Sequence, residues 1–280
     1  QHMQREPLNK FWQVDNSAGA SGYNIMKYSY GLMPKDGWAY GMYQVPKGAG
    51  SYSTDYVQAL IRFNASCDAE LVSAFTTSQM SLGNQGTGIM YPVACADGEN
   101  FYFQFEDNGD QADYTYPTVK MGFDGTIKWI WGMQYNQNQF RERLGAITRD
   151  ADDNVYSFMT GGRDNDASTN ARAWVTSWDK DGNFRWSKRI YDVANPSYQQ
   201  NAVYINNAIC IGDFVYFYPT YQNSGFGVQL MRLNKDTGEM DPNWMYEVNF
   251  PINYPVNFAN VVGETEFIIA GQGAQNTCVF

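Results

Sequence analysis

The sequence predicts an all-β fold: a five-bladed β-propeller of four-stranded antiparallel blades, with the ring closed by an N-terminal strand. Three observations predict it. Short apolar segments recur at a fixed spacing, those ending at Phe63, Phe123, Trp178 and Leu233 lying 60, 55 and 55 residues apart. Each runs into a polar turn of the kind that joins antiparallel strands, such as Asp124-Gly125 or Asp179 to Asn183, because such turns need residues that tolerate positive φ. The segments are short and rich in Tyr, Trp, Phe and Val, which suits strands and not helices. Four-stranded units repeated at this period are the signature of a propeller, and 280 residues hold five of them.

The elements follow in order, each unit reading as strands a to d. Strand a is expected at 26–30, 89–94, 144–148, 203–210 and 258–262. After a Gly, Asp or Asn turn comes strand b, at 38–45, 101–105, 155–159, 214–218 and 266–270. Strand c is the recurring segment itself, at 56–63, 118–123, 173–178 and 228–233, with a short fifth copy at 277–280. Strand d follows the hairpin turn, at 71–75, 127–131, 184–190 and 244–248. The fifth unit then lacks a strand d. A spare segment at 9–14 carries the Asn9-Lys10-Phe11-Trp12 spacing of Asn183-Phe184-Arg185-Trp186, a strand d. It is expected to close the ring, since an open ring exposes two sheet edges. The chain thus reads as one domain, 1–280, with an arm at 1–15 and blades near 25–75, 88–131, 144–190, 202–248 and 257–280 plus 9–14.

Composition removes several functions. With 19 basic against 29 acidic residues the net charge is −10, and phosphate backbones repel such a chain, so no nucleic-acid partner is expected. The lack of any 18-residue apolar run argues against membrane insertion by a helix. The single histidine, His2, leaves no Ser-His-Asp, Cys-His or His-built zinc arrangement, and no cofactor is expected. The first residue is Gln and no apolar signal segment follows, which suits a processed chain or a fragment. Cys67, Cys95, Cys210 and Cys278 are widely spaced and form no C-x-x-C. They read either as buried thiols or as two disulfides, Cys67–Cys95 and Cys210–Cys278 being the pairs between neighbouring blades. Asn64-Ala65-Ser66 is a glycosylation sequon, which marks Asn64.

The third unit resembles a known repeat. Asp152-Asp153-Asn154-Val155-Tyr156, Gly161-Gly162, Ala173-Trp174-Val175 and Asp179-Lys180-Asp181-Gly182-Asn183-Phe184-Arg185-Trp186 resemble the SBBP-type β-propeller repeat, whose pattern runs D-x-x-G-N-V-Y-V-x-G and then V-x-K-x-D-x-x-G-N-x-x-W. The likeness is strongest over 143–191. It implies a propeller and a setting common to secreted, cell-surface and virion-fibre proteins. It implies no catalytic residues.

Two loop sets carry the candidate sites. The b–c loops are acidic, with Asp107, Asp110 and Asp113 in one and Asp164 and Asp166 in the next. Clustered carboxylates suit calcium, but solvated turn-forming loops explain them better, and no metal site is assigned. The stretch Asp179 to Asn183 begins like a calcium loop, but its twelfth position is Ile190, so that reading fails. The d–a loops present Tyr135, Asn136, Gln139, Tyr198, Gln200, Tyr254 and Asn257. Amides pair a donor with an acceptor, as sugar hydroxyls require, and a Tyr ring adds an apolar face, so this surface is the candidate for a glycan or a protein partner.

The expectation from these readings is a non-enzymatic extracellular structural or adhesion protein at a cell or virion surface, a subunit that associates with itself or with another surface protein. The alternatives are a lectin-like carbohydrate-binding propeller and a propeller glycoside hydrolase using a carboxylate pair.

Overall fold

The computed structural model describes residues 32–46, 56–66, 68–76, 86–107, 117–131, 141–162, 172–190, 203–221, 228–248, 252–259, 268–273 and 278–279. Among the described residues every regular element is a strand, and the strands form antiparallel sheets in chain order. No helix among the described residues is long and apolar enough to cross a membrane. The chain divides into two compact units, Gln1–Gln137 and Asn138–Phe280.

The first unit holds two four-stranded sheets. One is β1 (Met33–Lys35), β2 (Trp38–Pro46), β3 (Tyr56–Asn64) and β4 (Ala69–Thr76); the other is β5 (Gly86–Ala94), β6 (Asn100–Asp107), β7 (Thr118–Gly122) and β8 (Ile127–Trp131). The second unit holds β9 (Arg141–Arg149), β10 (Val155–Gly162), β11 (Arg172–Trp178) and β12 (Phe184–Ile190), then β13 (Val203–Ile211), β14 (Phe214–Tyr221), β15 (Val228–Asn234) and β16 (Met240–Val248). Its last sheet has three strands, β17 (Ile252–Ala259), β18 (Ile268–Gly273) and β19 (Cys278–Val279). The meander read from the sequence is therefore present sheet by sheet. In the third repeat, Val155 pairs with Trp178 and Trp178 with Phe184, which makes three consecutive antiparallel strands around the Gly182-Asn183 turn.

Among the described residues the first sheet opens with Met33–Lys35, and Asp36 and Gly37, both of positive φ (51° and 77°), turn it into β2. A two-residue hairpin of that hand pairs Lys35 directly with Trp38 and leaves no room for a longer connection. Tyr254 and Asn257 lie within β17 and not in a loop, pairing with Gln272 and Ala270. The register shifts on both sides of the Tyr254-Pro255 pair, and such an irregularity is how a strand accommodates a proline. The segments at 26–30 and 9–14 lie outside the described residues.

The core sits between sheets within each unit. In the first, Met42, Leu60, Phe101, Phe103, Val119 and Met121 form one buried cluster, and Ala59, Ile61, Leu71 and Ala74 form another on the opposite face of β3. In β7 all five residues are buried, so that strand is covered on both faces, which explains why TVKMG does not alternate cleanly between apolar and polar. In the second unit Phe158 of β10 meets Phe217 of β14 at 5.1 Å between ring centroids.

Candidate functional site

The a–b and c–d turns gather at one end of each sheet, and short polar side chains build them. The Oδ1 atom of Asp97 accepts the backbone N–H of Glu99 and Asn100 at 2.8 and 2.9 Å. Asp150 Oδ1 accepts those of Asp152 and Asn154, and Asp179 Oδ1 those of Asp181 and Asn183. Asn100, Asn154 and Asn183 each return an amide N–H to the second oxygen of the same carboxylate, at 2.7, 2.8 and 2.9 Å. This is the physical content of the repeated Asp-x-x-Asn and Asp-x-x-x-Asn spacing: the side chain replaces water at donors the turn leaves unpaired. These carboxylates are turn anchors. Asp179 serves its own hairpin and has no calcium loop around it.

Asn64 plays the same part in the first sheet. Its Oδ1 accepts the N–H of Ser66 and Asp68, and its Nδ2 donates to Asp68 Oδ2 at 2.7 Å. The sequon amide is thus already engaged. Cys95 is buried and Cys210 half-buried; both are thiols, so neither expected disulfide, Cys67–Cys95 or Cys210–Cys278, is formed. Burial, reinforced by the nearby Asp150 carboxylate, pushes the Cys210 thiol up to about 12, which rules it out as a nucleophile near neutral pH. Cys67 lies outside the described residues.

One step in from the turns lies a layer the sequence reading missed. In the first four sheets strand b carries a tyrosine, and cross-strand register sets it beside the same strand-c position: Tyr40 beside Arg62, Tyr102 beside Lys120, Tyr156 beside Ser177 and Tyr216 beside Arg232. Where strand c has Ser177, strand d supplies the cation, and Arg185 donates to both Tyr156 Oη and Ser177 Oγ, at 2.9 and 3.0 Å. Tyr156 in turn donates to Asp150 Oδ2 at 2.9 Å. Burial holds its hydroxyl well above the usual tyrosine range, so it stays a donor. Arg232 lies 3.8 Å from the Phe214 ring centroid and 4.9 Å from that of Trp244, and donates to Asp241, a cation over two aromatic faces. The signal was present in the sequence as a Tyr early in strand b of the first four repeats.

Within the first unit, the β1–β4 and β5–β8 sheets enclose a cleft of about 740 Å³. Lys35, Arg62, Asn100, Asp124 and Lys128 give it a polar wall, and Tyr40 and Phe123 an aromatic one. Lys35 reaches the Gly98 carbonyl at 2.8 Å and Glu99 at 3.4 Å. Hydrogen bonding from the Thr126 backbone holds the Asp124 carboxyl below its ordinary 3.8, so Asp124 is no proton donor at neutral pH.

The sequence-derived site residues lie elsewhere. Tyr135, Asn136, Gln139, Tyr198 and Gln200 are outside the described residues, as are Asp110, Asp113, Asp164 and Asp166. Asp107 is the last residue of β6. That strand starts at Asn100, beside the cleft, so seven residues, about 23 Å, separate Asp107 from it.

No family model matches the sequence, and no curated protein matches it. Solved structures do. A subtype N10 neuraminidase-like protein of A/little yellow-shouldered bat/Guatemala matches at TM-score 0.46 and 10% identity; the match covers 82% of this chain, which spans 59% of that protein's length. A GH43 enzyme of Xanthomonas citri, complexed with xylose, matches at TM-score 0.45 and 12% identity, over 89% of this chain and 88% of its own. A GH43 β-xylosidase/α-arabinofuranosidase from a compost microbial metagenome, in complex with xylotriose, matches at TM-score 0.50 and 11% identity, over 100% of this chain and 97% of its own. The likeness to that last structure spans the whole chain and carries the fold: this is an all-β chain of antiparallel sheets with the fold of a β-propeller. It also corrects the expectation of a non-enzymatic structural or adhesion subunit, because the whole-length neighbour is a glycoside hydrolase. The expectation failed because it read a function from exposed sheet edges and low charge, and a fold hosts many functions.

Proposed function

We propose that this protein is a propeller glycoside hydrolase that cleaves with a carboxylate pair. The observation that carries the reading is the whole-length likeness to the xylotriose-bound GH43 propeller. The carboxylates at the turn end are poor candidates, since Asp97, Asp150 and Asp179 anchor turns and Asp124 is held low. The reading therefore takes its acid and base from the opposite strand ends, where the sequence sets Asp107, Asp110, Asp113, Asp164 and Asp166 and where the amide- and tyrosine-bearing d–a segments would hold the sugar. An extracellular location, a glycan partner and kinship with the SBBP-type repeat go with it.

The test is hydrolysis of nitrophenyl β-xylosides, α-arabinofuranosides and sialosides, followed by Asp→Asn variants at the five positions. One or two variants are expected to lose at least about 100-fold in kcat with unchanged Tm. Absence of turnover across the panel, or full activity in all five variants, overturns the reading.

The same proposal takes five blades, closed by residues 9–14 alongside β19. Trp12 then occupies the place in its blade that Trp186 holds in the third. Trp12→Ala is expected to cost roughly 3 kcal/mol, read as a clear fall in Tm; a neutral variant counts against closure.

A further inference from the structure

Four turns are built on an Asp-Gly step: Asp36-Gly37, Asp97-Gly98, Asp124-Gly125 and Asp181-Gly182. All four glycines have positive φ, at 77°, 68°, 84° and 87°, which is why the step suits a turn. The same step has a second chemistry. With no side chain on the glycine, its backbone nitrogen approaches the carboxyl carbon of the preceding aspartate closely.

The fold shields three of these steps and leaves one open. Gly98 N–H donates to the Cys95 carbonyl at 3.2 Å, Gly125 N–H to that of Gly122 at 2.8 Å and Gly182 N–H to that of Asp179 at 3.0 Å. Two of the three carboxylates are engaged as well: Asp97 Oδ1 accepts two backbone N–H groups, and Asp124 Oδ1 accepts that of Thr126 at 2.9 Å. Gly37 N–H has no hydrogen-bond partner among the described residues. The Asp36 side chain is 82% exposed and is held by an ion pair to Lys35 at 3.3 Å, and a pair so exposed holds weakly. Beyond its chain neighbours, no atom lies within 4 Å of the place a Gly37 Cβ would take, so the turn has room on that side. It is also lightly anchored, since three described residue pairs join β1 to β2, and short ladders at the end of a sheet open locally at low cost.

We propose that Asp36 is a site of spontaneous isomerisation to isoaspartate, ahead of the other three steps. The Gly37 nitrogen bonds to Cγ of the protonated Asp36 carboxyl. The C–O bond breaks, and the hydroxyl leaves as water with the hydrogen of that nitrogen, giving a five-membered imide. Water then opens the ring. Where it adds at the Asp36 backbone carbonyl, that C–N bond breaks and the chain runs on through Cγ, one carbon longer. Nothing is oxidised or reduced. A two-residue turn has no slack for the extra carbon, so the Lys35–Trp38 pair is lost. Met33, two residues back, is 2% exposed in the core cluster that holds Tyr40 and Phe123, and the modification withdraws it. This site does not rest on the hydrolase reading.

The test is prolonged incubation of the folded full chain at physiological temperature, with isoaspartate read site by site in proteolytic fragments by electron-transfer mass spectrometry. Site-by-site reading keeps any product of Asn108-Gly109 separate. IsoAsp is expected to form at residue 36 at least about fivefold faster than at 97, 124 or 181, the factor that one hydrogen bond of ordinary net strength is worth. Unfolded in urea, the four steps are expected to react at similar rates. Asp36→Glu, whose longer side chain closes no five-membered ring, is expected to lose the product at 36 and to hold its Tm through an incubation that lowers the Tm of the parent chain. No product at 36, faster reaction at any of the other three steps, or the same preference for 36 in urea each overturns the proposal.

Discussion

Gln58 sits in the middle of β3 with no exposed surface, and both polar atoms of its amide lack a partner among the described residues. An unpaired buried amide costs its desolvation without return. Gln58→Leu keeps a similar volume and removes that cost, so it is expected to stabilise the protein by about 1 kcal/mol in urea unfolding. A destabilised variant would mean that the amide holds a group essential to the fold. At the acidic positions the sign of the pH dependence follows from the turns. The hydrogen bond from Arg232 holds the Asp241 carboxyl below 3.8, and the Thr126 backbone does the same for Asp124. A folded-state pKa below the unfolded one means that the unfolded chain binds more protons. The stabilisation is thus complete above about pH 4 and is lost as pH falls through the lowered values. Melting followed by circular dichroism from pH 5 to pH 2 is expected to show Tm falling over that window, and the Asp241→Asn variant to show a shallower fall. A Tm rising with acid would contradict the assignment.

The element that ties neighbouring sheets in the second unit is the c–d turn of the β13–β16 sheet. It presents the Lys235 carbonyl to the Trp186 indole N–H at 3.2 Å, Asp236 to Arg185 at 3.0 Å and Glu239 to Lys188. The turn closes on Gly238, whose φ is +71° and whose missing Cβ would lie 2.6 Å from the Trp186 ring. An alanine there is strained twice, by backbone conformation and by contact with a ring packed in the core. Gly238→Ala is expected to cost more than about 1 kcal/mol and to shift tryptophan emission to the red as Trp186 is displaced. An unchanged spectrum and Tm would mean the turn does not bear on that ring. In the first unit the equivalent turn sets Gly125 against Ser73, a smaller side chain approached at least as closely.

At the scale of the molecule, the strand ladder was legible before any coordinates. Of the expected strands, b to d of the first repeat and every strand of the second, third and fourth repeats match observed strands to within a few residues. Alternating apolar side chains and Asp, Asn and Gly turns are local, and each hairpin is decided by residues close in sequence. The exception has a local reason too: Pro255 disguised Tyr254 and Asn257 as loop. Function was not legible in the same way, since low charge and aromatic content suit an adhesion subunit and a hydrolase equally well. By itself, then, the sequence determined the strands, their order and the turn chemistry. The tertiary structure decided that Tyr40, Arg62 and Glu70 share one rung, that Glu70 stands there where the second and third sheets have Trp129 and Trp186, and that a cleft lies beside it. The reason is that register and inter-sheet packing join residues tens of positions apart. One shifted pair moves every side chain to the opposite face, and no local pattern records which pairing wins.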